Sequence, residues 1–559
     1  MKSLATIFSL PGLFQISSAQ YDPNYAKGHS GIIHLFEWDW PTIADECEIF
    51  LGPKKVGGVQ ISPPTENVIV SNPQEGDRPW WERYQPISYN FETRSGTKKQ
   101  LKDMIQRCNN VGVRIYPDAV INHMCGGERG DGVGTGGTFF NATAQEFPDV
   151  PYDIDDFNDD ICTTSSGNIE NYYDPLQVRN CRLVNLLDLD QSFGHTRKKI
   201  IHMMNQLIDF GVAGFRVDAC KHMWPEDLEY IFGELNDVNA EVGGGRPYIF
   251  QEVLVSPGEP ITGDQYFDAG SVTEFAYGYK IGESINALYS LETFGETWGV
   301  MPSKYSLIFL CNHDNERGHG GGDGLITFRD PYDYKIATVF MMAWPYGTKR
   351  VMSSYYFVDT EAGPPSLTRG LPDDQPLATS CTNDWVCQHR WKAISAIFEF
   401  AAVVEGTEVN NWWDNGGNQI AFTRGDVGFV AINKDATTLT ETIPTGLKPG
   451  NYICQLTGKS FTIDSSGLIE IIELSNKDDQ NMIILFEGGL KPNFPPEPET
   501  PDDPDDPDVP GTCNVANKID CGYMGIDRVE CERKGCCWVE VPGDPWCYYR
   551  QEKILGFLN

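Results

Sequence analysis

The sequence is short of basic residues relative to acidic ones. It contains 43 lysines and arginines against 79 aspartates and glutamates, which gives a formal net charge of −36 at pH 7. A surface this negative repels phosphate backbones and anionic lipid, so we expect neither nucleic acid nor membrane surfaces as partners. The charge suits a neutral ligand such as a sugar, although it does not single out sugars.

Long apolar runs are missing beyond the N-terminus, where no stretch approaches the ~20 residues that span a bilayer. Residues 1–19 have the pattern of a signal peptide. Lys2 is positive, residues 4–14 are mostly apolar, and residues 17–19 are small, so cleavage is expected ahead of Gln20. The alternative is an unstructured N-terminus. Sixteen cysteines in an exported chain predict disulfides, and we expect a secreted, extracellular protein.

The triplet Asn141-Ala142-Thr143 matches the acceptor motif for N-linked glycans. The motif is short, and by itself it is a weak signal.

Eight short apolar, β-rich runs recur along the chain, with helical patterns between most of them. The runs are residues 31–38, 57–64, 113–123, 215–222, 248–253, 272–277, 306–314 and 350–357. The helical pattern is clearest over residues 98–111 and 196–210. This alternation predicts an α/β fold, a parallel (β/α)8 TIM barrel over residues 20–408. The segment of residues 122–188 is too long to be a βα loop. Its length predicts a subdomain inserted after the third strand.

The pattern changes after about residue 408. Alternating strands such as 419–424, 428–433 and 482–487 predict an antiparallel β-sandwich over residues 409–489. Residues 490–511 are rich in proline and acidic side chains and predict an extended linker. Residues 512–550 hold six cysteines in a segment too small to fold on apolar burial alone, so we expect a disulfide-rich module.

Three carboxylates follow apolar runs of the predicted barrel. Asp218 lies in the fourth run, Glu252 in the fifth and Asp314 at the end of the seventh. The carboxyl ends of barrel strands meet at one mouth, and buried charges without partners are costly. Glycoside hydrolysis needs such a group, because one carboxylate attacks the sugar and one carboxylic acid protonates the leaving oxygen. The alternative is that each carboxylate pairs with a nearby arginine or caps a helix.

Several segments resemble the signature regions of the α-amylase family, glycoside hydrolase family thirteen. They are DAVINH (118–123), GFRVDACKH (214–222), FQEV (250–253) and CNHDNERGHG (311–320). The segments HLFEWDW (34–40), RPWWERYQP (78–86) and DWVCQHRW (384–391) narrow the resemblance to the chloride-dependent, animal-type α-amylases. It covers about residues 20–488. It implies a monomeric endo-hydrolase of internal α-1,4 bonds in starch, glycogen and malto-oligosaccharides, with a calcium-binding inserted subdomain.

The resemblance implies a role for each site residue. Asp218 matches the nucleophile, Glu252 the general acid and base, and Asp314 the carboxylate that binds sugar hydroxyls and favours the distorted ring. Retention of anomeric configuration is implied. The substrate-binding residues implied are Trp80, Trp81 and Tyr84 as a stacking platform, His123 and His313 as hydroxyl ligands, and Lys221, His222 and His319 on the product side.

Two ions are also implied. Calcium would be held by Asn122, Arg179, Asp188 and His222, with Arg179 and His222 contributing backbone carbonyls. This structural ion would tie the inserted subdomain to the barrel. Chloride, an activator, would be held by Arg216, Asn312 and Arg350. Without the anion, Arg350 could pair with Glu252 and lower its pKa, whereas a nearby chloride raises it.

The last segment, residues 513–549, resembles a trefoil, or P-type, domain. The pairings implied along the chain are Cys47–Cys108, Cys162–Cys181, Cys381–Cys387, Cys513–Cys537, Cys521–Cys536 and Cys531–Cys547. One family disulfide is missing at both ends, because Glu92 replaces one cysteine and residues 130–137 lack the other. Cys125, Cys220, Cys311 and Cys454 remain unpaired. Trp538, Trp546 and Tyr548 suggest a mucin or glycan ligand, and a ligand-free, protease-resistant cap is the alternative.

Two other functions compete with the endo-hydrolase. A catalytically silent glycan-binding protein is opposed by the intact Asp218, Glu252 and Asp314. A transglycosylase or exo-acting α-glucosidase would keep the same chemistry and differ in its products.

Overall fold

The computed structural model describes residues 20–72, 76–320, 324–365, 381 and 384–489, with residues 531, 536–538 and 547–549 near the C-terminus. The chain divides into two compact units, residues 1–492 and 493–559. The predicted signal peptide and linker lie outside the described residues, as do Cys513, Cys521 and Trp546. Among the described residues, no helix is long and apolar enough to span a membrane.

The first unit is built on a closed barrel of eight strands, each paired in parallel with its neighbours. The strands are β1 (Ser30–Leu35), β2 (Val56–Ile61), β3 (Arg114–Ala119), β4 (Gly214–Val217), β5 (Tyr248–Gln251), β6 (Ser271–Glu274), β7 (Ser306–Ile308) and β8 (Thr348–Ser353). Their order around the barrel follows the chain, and β8 closes on β1. The predicted TIM barrel is confirmed.

Eight α-helices accompany the strands in the described part of the first unit. They are α1 (Trp40–Glu46), α2 (Lys98–Asn110), α3 (Pro175–Asn180), α4 (Gly194–Phe210), α5 (Pro225–Gly233), α6 (Phe275–Ser284), α7 (Pro331–Ala343) and α8 (Lys392–Val403). Helix α2 begins at a capping box. The Thr97 side chain accepts a hydrogen bond from the Gln100 backbone N–H, and the Gln100 side chain accepts one from the Thr97 backbone N–H. Its apolar face, which includes Leu101 and Met104, is buried.

Several predicted strands extend too far at their carboxyl ends. The fourth ends at Val217, and residues Cys220–His222 form a 3-10 turn. The sixth ends at Glu274, where α6 begins. The apolar pattern continues past the last ladder hydrogen bond because the loops that line the barrel mouth are buried too. Asp218 and Glu252 therefore lie just beyond their strands.

The inserted subdomain leaves the barrel after β3 and has a small core of its own. Strand His123–Gly126 pairs antiparallel with Leu186–Asp188 at the base of the insertion. A hairpin of Asp131–Val133 and Phe139–Asn141 extends from it. The core side chains are Met124, Phe140, Phe147, Leu187 and Leu189, among others.

The end of the first unit is a sandwich of two four-stranded antiparallel sheets, as predicted. Its strands are β9 (Val409–Asp414), β10 (Gln419–Arg424), β11 (Gly428–Asn433), β12 (Leu439–Pro444), β13 (Gly450–Ile453), β14 (Ser460–Ile463), β15 (Leu468–Leu474) and β16 (Met482–Phe486). One sheet has the order β9-β10-β11-β16 and the other β12-β15-β14-β13.

The disulfides of the described residues are the pairs that the resemblance implies. Cys47–Cys108, Cys162–Cys181 and Cys381–Cys387 lie in the first unit, and Cys531–Cys547 lies in the second. Cys537 is also disulfide-bonded. In the second unit, strand Cys536–Trp538 pairs antiparallel with Cys547–Tyr549. Cys125, Cys220, Cys311 and Cys454 are buried free thiols.

Hydrogen bonds tie the insertion to the barrel where the family disulfide is missing. A Cβ atom added to Gly136 would lie 2.9 Å from Glu92 Cβ, so these two positions face each other. The Glu66 carboxylate accepts hydrogen bonds from Gly136 N (2.7 Å), Thr138 N (3.0 Å) and Ser88 Oγ (2.6 Å). Burial raises the pKa of Glu66, but these hydrogen bonds outweigh burial and lower it below its usual range.

We expect Glu66→Gln to lower the free energy of unfolding by about 1–3 kcal/mol, because an amide cannot satisfy the same buried donors. A depressed folded pKa stabilises above the unfolded pKa and is lost as pH falls through the folded value. The difference in the free energy of unfolding between the wild type and Glu66→Gln should therefore become smaller at acid pH. Denaturant unfolding at neutral and acid pH measures it, with the exposed Glu146→Gln as control. Equal stability of both variants at neutral pH would contradict the role of Glu66.

Candidate active site

A cleft of about 600 Å³ opens at the carboxyl ends of the barrel strands. Its wall contains the three predicted carboxylates and all eight residues predicted to bind substrate. These are Asp218, Glu252 and Asp314, with Trp80, Trp81, Tyr84, His123, Lys221, His222, His313 and His319. The structure thus brings the predicted site residues to one place.

One buried guanidinium group, that of Arg216, organises the carboxylates. Its Nη1 lies 2.8 Å from Asp218 Oδ1 and 2.6 Å from Asp118 Oδ1, and its Nη2 lies 2.7 Å from Glu252 Oε1. Arg216 and Asp218 are two residues apart at the end of β4, so their side chains leave the same face of the chain. Asp118 is in register with Arg216 on the neighbouring strand β3.

Glu252 pairs with Arg216 in this structure. The pairing of Arg350 with Glu252 in the absence of an anion stays a prediction. Arg350 Nη1 instead donates to Gln60 Oε1 (2.8 Å), and its guanidinium lies over the Phe309 ring at 4.3 Å. Arg216 lies on β4, which pairs with β5 just before Glu252, whereas Arg350 lies on β8 between β7 and β1.

Backbone and side-chain donors fix the other carboxyl oxygens. Glu252 Oε2 accepts from the N–H of Ala219 (2.9 Å), a residue whose φ of 51° turns the chain away from β4. Asp314 Oδ2 accepts from Asn312 Nδ2 (3.1 Å) and lies 3.4 Å from His313 Nε2. The carboxyl groups are therefore held in place before any substrate is bound.

Burial raises the pKa values of three carboxyl groups in this cluster. Burial and the charges of Glu252 and Asp118 raise the pKa of Asp218 well above its usual range, although Arg216 opposes them. Burial and Glu252 raise the pKa of Asp314 to about 7. Burial also raises the pKa of Asp118. Acidic groups this close titrate together, so the raised pKa values belong to the cluster rather than to single residues.

Two buried histidines near the carboxylates, His123 and His313, favour the neutral form. Burial lowers the pKa of His123 to about 4, and burial with the charge of Arg216 lowers the pKa of His313 well below its usual range. Both ring nitrogens of His123 have partners, Tyr84 O (2.9 Å) and Asn122 Nδ2 (3.1 Å), whereas Nδ1 of His313 has none among the described residues.

A short 3-10 turn, Trp80–Tyr84, supplies the aromatic wall of the cleft. The Tyr84 ring stacks on His313 at 5.3 Å, and its hydroxyl donates to Asp118 Oδ2 (2.9 Å). Buried ion pairs hold the turn from behind, with Glu37 bound by Arg83 (3.2 Å) and Arg94 (2.9 Å). The aromatic residues of this turn are thus held by ion pairs whose side chains do not line the cleft.

Sequence reasoning did not assign roles to three cleft or near-cleft residues. Asp118 is the first residue of the DAVINH segment and lies near the carboxyl end of β3. Its position therefore indicated a place at the barrel mouth. Glu259 forms an ion pair with Lys221, whose ammonium lies 5.3 Å from the Tyr172 ring centroid. Glu259 and Tyr172 lie in loops without a regular pattern, and nothing in the sequence pointed to them.

The residues implied for calcium fit a hard cation. Asn122 Oδ1 is buried and accepts no hydrogen bond from any described residue. Burial raises the pKa of Asp188 well above its usual range, which marks a buried carboxylate in need of positive charge. The Arg179 side chain turns to Gln265 and Tyr266, so only its backbone is free for a ligand role. No cluster of three acidic, histidine or cysteine side chains suits a metal among the described residues, and the implied set contains a single carboxylate.

The residues implied for chloride fit an anion. Arg350 is buried, and its Nε donates no hydrogen bond within the described part of the chain. Burial lowers its pKa to about 10, so it stays cationic near neutral pH. A buried cation with an unused donor, whose pKa is also lowered by the charge of Arg216, favours a small anion.

A parallel eight-stranded barrel with paired acidic groups at the mouth of a sugar-sized cleft defines a barrel glycoside hydrolase. Comparisons with known proteins agree. Family models match the α-amylase catalytic domain at residues 67–298, the α-amylase C-terminal all-β domain at residues 410–487 and the trefoil (P-type) domain at residues 512–550. The chain belongs to the α-amylase family, and it is an enzyme.

Individual relatives support this membership. The chain is 49% identical to an α-amylase of Oryzias latipes over 85% of its own length and 98% of that protein. It is 48% identical to the pancreatic α-amylase of Sus scrofa, over 83% and 94% of the two chains. Among solved structures, α-amylase I of Eisenia fetida matches with a TM-score of 0.77 at 39% identity, over 84% and 99% of the two chains.

Proposed function

We propose that this chain is a secreted endo-acting α-amylase in which Asp218 is the nucleophile and Glu252 the general acid and base. The observation that carries this proposal is the contact of both carboxyl groups with the one guanidinium of Arg216. Two carboxyl groups on adjacent nitrogens of one side chain lie close enough to act on a single sugar ring. A retaining mechanism needs a separation of about 5–5.5 Å.

The first step forms a glycosyl ester. A carboxylate oxygen of Asp218 attacks the anomeric carbon while Glu252 gives its proton to the glycosidic oxygen, and the bond to the leaving sugar breaks. Arg216 stabilises the carboxylates as charge moves, and Asp314 accepts hydrogen bonds from hydroxyls of the distorted ring.

The second step hydrolyses the ester. Glu252, now a carboxylate, accepts a proton from water as the water oxygen attacks the anomeric carbon, and Asp218 leaves as a carboxylate. Two inversions at one carbon retain its configuration. The first step requires Glu252 to carry a proton and Asp218 to be ionised when substrate binds.

The substrate proposed is starch, glycogen and their malto-oligosaccharides. A second Eisenia fetida structure, a glutamate-to-glutamine variant with a TM-score of 0.78 to this chain, is described as a maltohexaose complex. The cleft here is open to solvent and lined by Trp80 and Trp81 on one side and by Lys221 and His222 on another. An open cleft suits cleavage inside a chain better than the removal of end units.

Chloride is proposed as an activator held by Arg216, Asn312 and Arg350. When bound, it supplies negative charge that offsets the two arginines and favours the protonated form of Glu252. The unused donor of Arg350 supports this assignment. Arg216 itself does the positioning, because its contacts reach both working carboxyl groups.

Calcium is proposed as a structural ion held by Asn122, Asp188 and the backbones of Arg179 and His222. When bound, it supplies positive charge to a buried carboxylate and joins the inserted subdomain to the barrel. The His222 ring already bonds to Val178 O (3.0 Å), which brings the turn after β4 against α3. The unsatisfied oxygen of Asn122 supports the assignment.

We also propose the division into a signal peptide (1–19), a catalytic barrel (20–408) with an insertion (122–188), a sandwich (409–489), a linker (490–511) and a trefoil domain (512–550). The matches of the sandwich and trefoil models support the last boundaries. A mucin or other glycan remains the proposed ligand of the trefoil domain, and a monomer the proposed state.

We expect Glu252→Gln to lower kcat on soluble starch by about 10²–10⁴-fold or more, because the amide cannot donate the required proton. Maltohexaose should still bind, since the side chain keeps its shape. Steady-state kinetics and calorimetric titration measure these effects, with Glu146→Gln as control. Retention of a tenth of the wild-type activity would contradict the assignment of Glu252.

We expect the activity of the wild-type enzyme to rise severalfold when chloride is added to a chloride-free buffer. Arg350→Gln should remove this response, because the buried cation that favours the anion is gone. The measurement is a chloride titration of the initial rate on starch for both proteins. A flat titration for the wild type would reject the anion site.

A further inference from the structure

The triplet Asn141-Ala142-Thr143 lies at an exposed hairpin turn of the inserted subdomain. It is the only Asn-X-Ser/Thr triplet in the 559 residues. Asn141 and Glu146 exchange both backbone hydrogen bonds at 2.9 Å, so residues 142–145 form the turn between them. Thr143 and Ala144 are exposed, whereas Ala142 packs into the core of the insertion.

The two ends of the Asn141 side chain have different environments. Its carbonyl oxygen Oδ1 accepts a hydrogen bond from the Ala144 N–H (3.1 Å), which folds the side chain over its own turn. Its amide nitrogen Nδ2 donates to no residue that the structure describes. The nitrogen that a glycan would modify is therefore not needed by the fold, and the turn can carry a bulky polar group in solvent.

We propose that Asn141 carries an N-linked oligosaccharide. In the transfer, Asn141 Nδ2 forms a bond to C1 of the first sugar of a lipid-linked oligosaccharide pyrophosphate. The bond from C1 to the pyrophosphate oxygen breaks, the lipid pyrophosphate leaves, and the amide proton passes to a base. This inference rests on the proposed secretion, since the donor is met only by chains that enter the secretory route.

The test is expression of the full chain with its N-terminal segment in a eukaryotic secretory host, followed by mass analysis of the peptide that contains residues 139–146. We expect a glycosylated peptide, and enzymatic removal of the glycan should convert Asn141 to aspartate. Asn141→Gln and Thr143→Ala should abolish the modification, whereas Thr143→Ser should retain it.

An unmodified peptide would overturn the proposal wherever the protein is recovered. Recovery of unmodified protein from the medium would do so while leaving secretion intact, and recovery from inside the cell would count against secretion as well. Modification that persists in Thr143→Ala would also overturn it. Starch hydrolysis by the variants should equal that of the wild type, because Asn141 lies outside the cleft wall.

A separate contact joins the same insertion to the substrate cleft. The Arg129 guanidinium lies over the Trp81 ring, 5.3 Å from its centroid. Arg129 Nε donates to Gln85 Oε1 (3.0 Å), which also accepts from the Gly126 N–H (3.2 Å). The Arg129 side chain is 16% exposed. The inserted subdomain thus packs the guanidinium of Arg129 against the ring of Trp81 in the cleft wall.

We infer that Arg129 is a positioning residue for Trp81. Trp81 is only partly buried, and a planar guanidinium packed against the ring restricts its rotation. Sugar rings present apolar faces that stack on aromatic rings, so a fixed ring binds them with less loss of freedom. The effect should concern binding of longer glucan chains and leave the acid and base chemistry unchanged.

The test compares Arg129→Met, which keeps an apolar packing group without charge, with Arg129→Lys, which keeps the charge. We expect Arg129→Met to raise KM for maltoheptaose about two- to fivefold, the size of a partly exposed cation–π contact, with kcat unchanged. Arg129→Lys should recover part of the loss. Arg107→Met, which removes a surface arginine of α2, serves as control. An unchanged KM, or an equal fall in kcat, would overturn the inference.

Discussion

The active site depends on one buried cation, Arg216, which holds three acidic side chains that would otherwise repel one another. Its contacts with Asp118, Asp218 and Glu252 are all 2.6–2.8 Å. One positive charge cannot neutralise three carboxylates in a site of low solvent exposure. The surplus negative charge and the burial of the group raise the pKa values of Asp118 and Asp218.

Much of the remaining structure keeps this cluster in place. Neighbouring barrel strands deliver Asp118 and Arg216 in register, and the turn after β4 supplies the backbone donor that binds Glu252. The aromatic turn is held from behind by Glu37 and its two arginines. These buried ion pairs are expensive to form and expensive to break singly. They specify one arrangement of the cleft before a sugar enters.

The sequence allowed the barrel, the insertion, the sandwich and the positions of the acidic residues to be predicted, because strand periodicity and carboxylates at strand ends are local signals. Side-chain pairing is not local. Arg216 and Arg350 both lie on barrel strands, and only the side-chain positions show that Arg216 contacts Glu252. Three residues that the sequence did not point to, Glu259, Tyr172 and Glu66, lie in loops. Their positions are set by contacts between segments that are distant in the chain.

The proposed mechanism requires Asp218 to form a covalent bond to the sugar while Glu252 acts as the general acid and base. The direct measurement is rapid quenching of the enzyme with a fluorinated malto-oligosaccharyl fluoride, whose ester intermediate breaks down slowly, followed by peptide mapping. One covalent glycosyl group is expected, attached to the carboxyl of Asp218. A label on Glu252 or Asp314, or turnover with inversion at the anomeric carbon and no trapped ester, would contradict it.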